Sequence, residues 1–170
     1  MVQLWVRGKS RLSRAPKPLR WQAWTKPGPA RHSRPDMSDP IRKKGGFGDL
    51  VGYELALWEA DRAEVALTLD ARHMNRSGVM HGGILTTLID TACGYAGTYT
   101  PPDATPRRAF TLSLDVQFIG AAGVGEWLVA MTERSGGGRS IFFSPCRVLG
   151  ADGRLVGQGS GTFKYITKPA

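Results

Sequence analysis

Cysteine and histidine are scarce in this chain, with two cysteines and three histidines in 170 residues. Neither type falls at the short spacings that hold a zinc ion, so no metal and no other cofactor is expected. Without a secretory segment, two cysteines do not make a disulfide framework, and Cys93 and Cys146 are expected as reduced thiols. There is no apolar run of membrane-spanning length and no signal-peptide core, which leaves a cytoplasmic protein as the expectation. Acidic residues are almost missing from one end. Residues 1–36 hold nine Lys or Arg against Asp36 alone, while the remaining 14 basic and 13 acidic residues nearly balance. A nucleic-acid-binding domain spreads positive charge over its folded surface, so the net charge of +9 does not imply nucleic acid as a partner.

Residues 1–36 contain Pro16, Pro18, Pro27, Pro29 and Pro35 and show no periodicity, so this basic tail is expected to be disordered. An over-called start, with Met37 as the true first residue, is favoured over two other readings. One is a transit peptide, whose amphipathic helix the prolines interrupt, and the other is a basic arm with Trp5, Trp21 and Trp24 free for stacking. Residues 37–170 then form one domain, long enough for a proper core.

The most informative stretch runs from His73 to Asp90. From Ile84 the apolar residues Ile84, Leu85, Leu88, Ile89, Ala92, Cys93 and Ala96 recur as in a helix with a wide apolar stripe. At 100° per residue the opposite face carries Gly83, Thr86, Thr87, Asp90, Gly94 and Gly97. Each helix-interior glycine costs about 1 kcal/mol relative to alanine, so a ligand or another backbone must come close to this face. Gly82 and Gly83 open the helix, where backbone N–H groups have no intrahelical acceptor and the macrodipole is positive. Such an end suits a carbonyl oxygen that becomes anionic during acyl transfer. Asn75 lies just upstream, with an amide able to hold water or a carbonyl. The ordered set supplies a water holder, an oxyanion donor and a carboxylate base.

These residues resemble the hotdog-fold acyl-CoA thioesterases of the phenylacetate-pathway, or PaaI-type, group. That pattern is an Asn, then G-x-x-HGG, then L-x-D in one helix, and it is matched by Asn75, Gly78-Val79-Met80-His81-Gly82-Gly83 and Leu88-Ile89-Asp90. The resemblance covers about Phe47 to Tyr165. It implies an α+β hotdog fold, a curved antiparallel sheet of about six strands around one long helix. It also implies a homo-oligomer, a dimer or a tetrameric dimer of dimers, in which Gly82 and Asn75 of one protomer face Asp90 of the other. Asp90 is then the general base or the nucleophile, the Gly82 N–H polarises the thioester carbonyl, His81 orients the loop or assists the carbonyl, and Asn75 positions water. Gly83 adjoins the bound acyl group, and Thr111 falls where some relatives place a hydroxyl near the attacking water. His73 has no counterpart role. One departure is Gly94, where some relatives carry a hydroxyl residue one turn after the acid.

The rest of the chain reads as an antiparallel meander. A short strand is expected near Tyr53 to Glu59, then one at Val65, Leu67 and Leu69. A further strand alternates from Thr111 to Phe118, followed by strands at 126–134, 139–149 and 154–165, with turns at Gly136-Gly137-Gly138 and Ala151-Asp152-Gly153. Pro145 removes a ladder donor, so a bulge or an edge is expected there. Gly157, Gly159 and Gly161 alternate on one face of the last strand, which suits close packing. Arg134, Arg139 and Ser140 flank the glycine turn and are candidates for the phosphates of coenzyme A. The expected function is hydrolysis of an aromatic or medium-chain acyl-CoA. The alternatives are a hotdog enoyl-CoA hydratase or dehydratase and a non-catalytic acyl-CoA-binding module.

Overall fold

Helix α2, Gly82–Thr98, forms where the 3.6-residue apolar stripe predicts it, and its stripe residues Leu85, Leu88, Ile89, Ala92, Cys93 and Ala96 are buried. Its N-cap His81 is extended, and its imidazole Nδ1 accepts a hydrogen bond from the Gly83 N–H. The helix stops at Tyr99, two residues before Pro101, since the residue preceding a proline is pushed out of helical geometry. These are the principal features of a computed structural model that describes residues 45–166. The expectations for residues 1–36 lie outside the described residues.

The strands are β1 (Glu54–Glu59), β2 (Arg62–Thr68), β3 (Ala109–Phe118), β4 (Trp127–Glu133), β5 (Gly136–Gly137), β6 (Ile141–Gly150) and β7 (Leu155–Tyr165). They form one open antiparallel sheet in the order β1-β2-β4-β6-β7-β3, with the two-residue β5 pairing β6 off this path. The expectation of about six strands thus becomes seven, because the Gly136-Gly137-Gly138 segment pairs with Phe142 and Phe143 instead of only turning. Strand β3 follows α2 in sequence yet pairs with β7 at the far edge, which places it beside the helix it leaves.

The sheet curves around α2. Leu85, Leu88 and Ile89 share one core with Val65, Leu128, Ala130, Phe142, Val148 and Val156. Each such side chain gains about 1.5–3 kcal/mol on leaving water, so this stripe fixes the rotation of the helix and therefore what its other face presents. The glycine stripe of β7 is where the helix and β3 come closest. A β-carbon at Gly157 would run into Leu85, and one at Gly159 would collide with the Asp115 carbonyl and press on Ile89. Close packing is therefore what these glycines serve. Gly97 departs from the face assigned to it from helical periodicity. It is buried under the Phe142 ring, which fills the space its side chain would take.

Pro145 meets the expected interruption on one side of its strand, where pairing shifts by one residue between Thr132↔Cys146 and Gly136↔Phe143, a bulge in the chain opposite the proline. The proline sits within the interior strand β6, and its register with β7 is unbroken there. Its carbonyl accepts from Thr132 Oγ1, so its backbone polar atoms face the β4 side, where the β4 ladder ends at Cys146 and β5 begins at Phe143. The missing N–H falls in that gap and costs no ladder bond. A short helix α1, Phe47–Val51, precedes β1 and is closed by left-handed Gly52. Buried His73 holds it, with Nε2 bonded to the Val51 carbonyl and Nδ1 accepting from the Asp70 N–H. No described helix is long and apolar enough to cross a membrane. Among the described residues no group of His, Cys, Asp and Glu is arranged to hold a metal ion.

Candidate active site

The start of α2 supplies one half of the site. Because the His81 ring folds back onto the Gly83 N–H, that donor is taken, and the space for the ring exists because residue 83 has no side chain: a β-carbon there would lie 3.0 Å from His81 Nδ1. The bond makes Nδ1 the acceptor and leaves Nε2 as the exposed ring's donor. The Gly82 N–H, first in the helix, has no acceptor among the described residues and keeps the positive end of the dipole. The ring of Phe118, from the end of β3, stands 3.0 Å from where a Gly82 β-carbon would be.

Asn75 sits in the loop that precedes this turn. Its Oδ1 accepts from the Ser77 N–H at 2.8 Å and from the Val79 N–H at 3.4 Å, which ties the loop into a tight Asx turn. Its oxygen is thereby occupied and its NH2 group is the part available to a water or a carbonyl. An apolar cavity of about 530 Å³ adjoins this half, with Phe47, Leu50, Met74 and Ile84 among its walls and His81 and Gly83 at one side. Helix α1 gives it two largely exposed side chains, Phe47 and Leu50, which the sequence pattern did not single out.

The other half lies two turns along. Asp90 is partly buried, and Thr111 Oγ1 donates to its Oδ1 at 2.7 Å. The edge strand β3 runs beside α2, which is why a residue 21 positions away reaches the carboxylate. Thr111 thus fixes the carboxylate's rotation and leaves Oδ2 without a bond among the described residues. Tyr53 is a neighbour that sequence reasoning missed. Burial pushes its phenol above the ordinary 10.0, the nearby carboxylates of Asp49 and Asp90 add to this, and a hydrogen bond with Thr91 opposes it. Its signal, a single aromatic before a short strand, is too common to have been informative. Asp90 and Thr111 open onto a second groove of about 370 Å³, whose walls include Gly94, Thr98, Arg107, Arg108 and Phe163.

Arg134, Arg139 and Ser140 line neither of these two cavities. The Arg134 guanidinium is bonded to Asp61 at 2.6 Å, the main cause that holds it above its ordinary range. Ser140 uses its carbonyl to accept from the Tyr165 N–H, and Arg139 projects from the exposed turn. The structure therefore brings His81 and Gly83 to one cavity and Asp90 with Thr111 to another, while Asn75 and Gly82 line neither, Gly82 lying against the Phe118 ring.

Residues 77–156 match the thioesterase superfamily family model. A Pseudomonas aeruginosa protein, PA0474, whose name assigns it provisionally to the esterases, is 34% identical over 130 residues, covering 76% of this chain and 95% of the relative. The chain belongs to the thioesterase superfamily. This thioesterase is also similar to the solved structure of the conserved Pseudomonas aeruginosa protein PA5202. That protein is 29% identical with a TM-score of 0.66, over 75% of this chain and 99% of the other. A mutant of the phenylacetic acid degradation protein PaaI from Thermus thermophilus is 25% identical with a TM-score of 0.62, over 69% of this chain and 96% of that one. The sheet wrapped on α2 is the hotdog fold of that superfamily, and the enzyme is a thioester hydrolase.

Proposed function

We propose that this thioesterase hydrolyses an aromatic or medium-chain acyl-CoA to the free acid and CoA in a site shared by two copies of the chain. The observation that carries this reading is the Thr111 to Asp90 hydrogen bond, which presents one carboxylate oxygen to a groove that the Gly82 turn does not line. Eight residues separate Gly82 from Asp90 on α2, a rise of about 12 Å. One thioester carbonyl cannot contact both groups of a single chain, so the oxyanion donor opposite Asp90 belongs to a second copy. A homo-oligomer, as a dimer or dimer of dimers, and action in the cytoplasm belong to this reading.

In the first step Asp90 Oδ2 takes a proton from water as the water oxygen bonds to the thioester carbon, or Oδ2 attacks that carbon itself to give an anhydride that water then opens. The carbonyl oxygen gains negative charge and is met by the Gly82 N–H of the second copy at its helix N-terminus, with His81 Nε2 and the Asn75 NH2 as further donors nearby. Collapse breaks the C–S bond and expels the CoA thiolate. The apolar walls of Phe47, Leu50, Met74 and Ile84 suit the acyl group, which is why an aromatic or medium-chain acid is favoured.

The test is thiol release from phenylacetyl-, hydroxybenzoyl-, hexanoyl- and palmitoyl-CoA by the protein and by Asp90→Asn. The variant is expected to stay folded and to bind acyl-CoA while kcat falls at least ~100-fold, the scale of a positioned base. Loss of binding together with turnover would make Asp90 a structural residue and end this mechanism.

A further inference from the structure

The groove that starts at Asp90 does not end at the chemistry. It follows α2 past Gly94 to Thr98, where Arg107 and Arg108 from the loop before β3 are among its walls. Gly94 leaves its floor open: a β-carbon would come no closer than 3.5 Å to its neighbour Phe163, so the missing side chain relieves no clash and instead keeps the channel clear. From Asp90 to Thr98 the helix rises about 12 Å, the scale of an extended thiol-carrier arm rather than of a small acyl group.

The two arginines differ from the others near the site. Arg134 is engaged by Asp61, whereas neither Arg107 nor Arg108 has a carboxylate partner among the described residues. Arg107 is held in place all the same. Its guanidinium lies 4.3 Å from the centre of the Tyr165 ring, its backbone N–H donates to Thr100 Oγ1, and the Tyr165 hydroxyl is anchored on the Gly97 carbonyl. A guanidinium stacked on a ring keeps its edge N–H groups free for an oxyanion. Arg108 is exposed beside it, with its carbonyl bonded to the Ile166 N–H.

We infer that Arg107 and Arg108 form the phosphate-binding end of the substrate site, gripping the nucleotide phosphates of CoA while the pantetheine arm lies along the Asp90–Gly94–Thr98 groove. This rests on the acyl-CoA reading above and assigns to this pair the role that sequence gave to Arg134, Arg139 and Ser140. Two guanidiniums that line one groove without a carboxylate partner among the described residues suit phosphate oxygens through charge-assisted bonds, and the groove's polar end then complements the apolar acyl cavity.

The experiment compares kcat/KM for hexanoyl-CoA, hexanoyl-dephospho-CoA and hexanoyl-pantetheine in the wild-type protein, Arg107→Ala/Arg108→Ala and Arg139→Ala. Wild type is expected to favour the CoA ester over the pantetheine ester about 100-fold, the sum of two charge-assisted contacts, and the double variant to lose that preference. The dephospho ester shows whether the 3′-phosphate or the diphosphate is gripped. Should loss of the Tyr165 stacking destabilise the double variant, Arg108→Ala alone is expected to lower the preference about tenfold. A wild type indifferent to the phosphates, a double variant that keeps the preference, or its collapse in Arg139→Ala instead would overturn the assignment. Calorimetric titration with CoA itself separates the two readings. CoA binding that depends on the arginines without turnover of any ester would sink the hydrolysis reading and leave the phosphate site standing. Turnover indifferent to the arginines would do the reverse.

Discussion

At the scale of residues, the site turns on which backbone donor is free. The sequence placed Gly82 and Gly83 together at the helix start without separating their roles, and the structure separates them through one side chain: His81 caps the Gly83 N–H and leaves that of Gly82 open. Gly82 occupies the first helical position, where proline is well tolerated because that N–H has no intrahelical partner. His81, at φ −65 and ψ 136, already has the extended conformation a following proline requires. Gly82→Pro should therefore delete the proposed oxyanion donor with little harm to the fold, since the ring meets only the end of exposed Phe118. The expected result is a fall of roughly 100-fold in kcat at a nearly unchanged melting temperature, the size seen when one oxyanion donor is removed. A variant that melts normally and turns over at the wild-type rate would show that Gly82 polarises nothing. The acid, the glycine and the asparagine were legible because they share one short segment. Thr111 was legible only through resemblance, for nothing in an alternating strand announces that one of its hydroxyls will reach a carboxylate 21 residues away.

At the scale of elements, α2 and the central sheet fit each other through positions that tolerate no added atoms. Gly159→Ala would press a methyl group onto the Asp115 carbonyl of the neighbouring strand, a backbone atom that cannot swing aside, so unfolding free energy should drop by about 2 kcal/mol or more. Urea denaturation measures this, and a change under about 0.5 kcal/mol, the level of an ordinary surface substitution, would mean the strands adjust freely. The period-two and 3.6-residue patterns made all the long elements readable. Pro145 was legible as well, for its missing N–H falls where the β4 ladder ends, the β5 pairing begins and the register shifts by one residue. The same junction buries both thiols. Burial pushes the Cys146 thiol well above its ordinary 9.0, with contact to Cys93 adding to the rise. The folded chain then holds this proton to higher pH than the unfolded chain, so the stability of the neutral thiol is complete below about pH 9 and is lost as pH climbs toward the folded value. Tyr53 and Tyr95, also raised by burial, act in the same direction at still higher pH. Urea midpoints should hold level to about pH 8.5 and decline beyond it, with a shallower decline in Cys146→Ala. An equal slope in that variant would assign the alkaline loss to other groups.

At the scale of the whole molecule, the two groups on which the proposed reaction depends, the Gly82 N–H and the Asp90 carboxylate, are about 12 Å apart along one helix of a single chain. The helical spacing and the resemblance already implied this separation, and what the sequence could not show is which walls each group faces, since the rotation of α2 is set by its core. The separation becomes productive if a two-fold axis sets the Asp90 groove of one copy against the Gly82 turn of the other, so that a symmetric pair has two composite sites. Of the two sheet edges, β1 and β3, it is β3 that carries exposed apolar side chains, Phe110, Leu112 and Phe118, and so suits contact with a second copy. Complementation tests this directly. Asp90→Asn and Gly82→Pro are each expected to retain about one per cent of activity alone, but when they are unfolded together and refolded, half of the pairs formed should be mixed. In a mixed pair one composite site carries both lesions and the other carries neither. Activity should return to about a quarter of the wild-type level under random pairing. Refolding each variant separately and then combining them, without exchange, should restore none. If the mixture recovers pairing but no activity, Asp90 and Gly82 must act within one chain, and a gap of about 12 Å would have to be closed by movement of α2 instead of by a second copy.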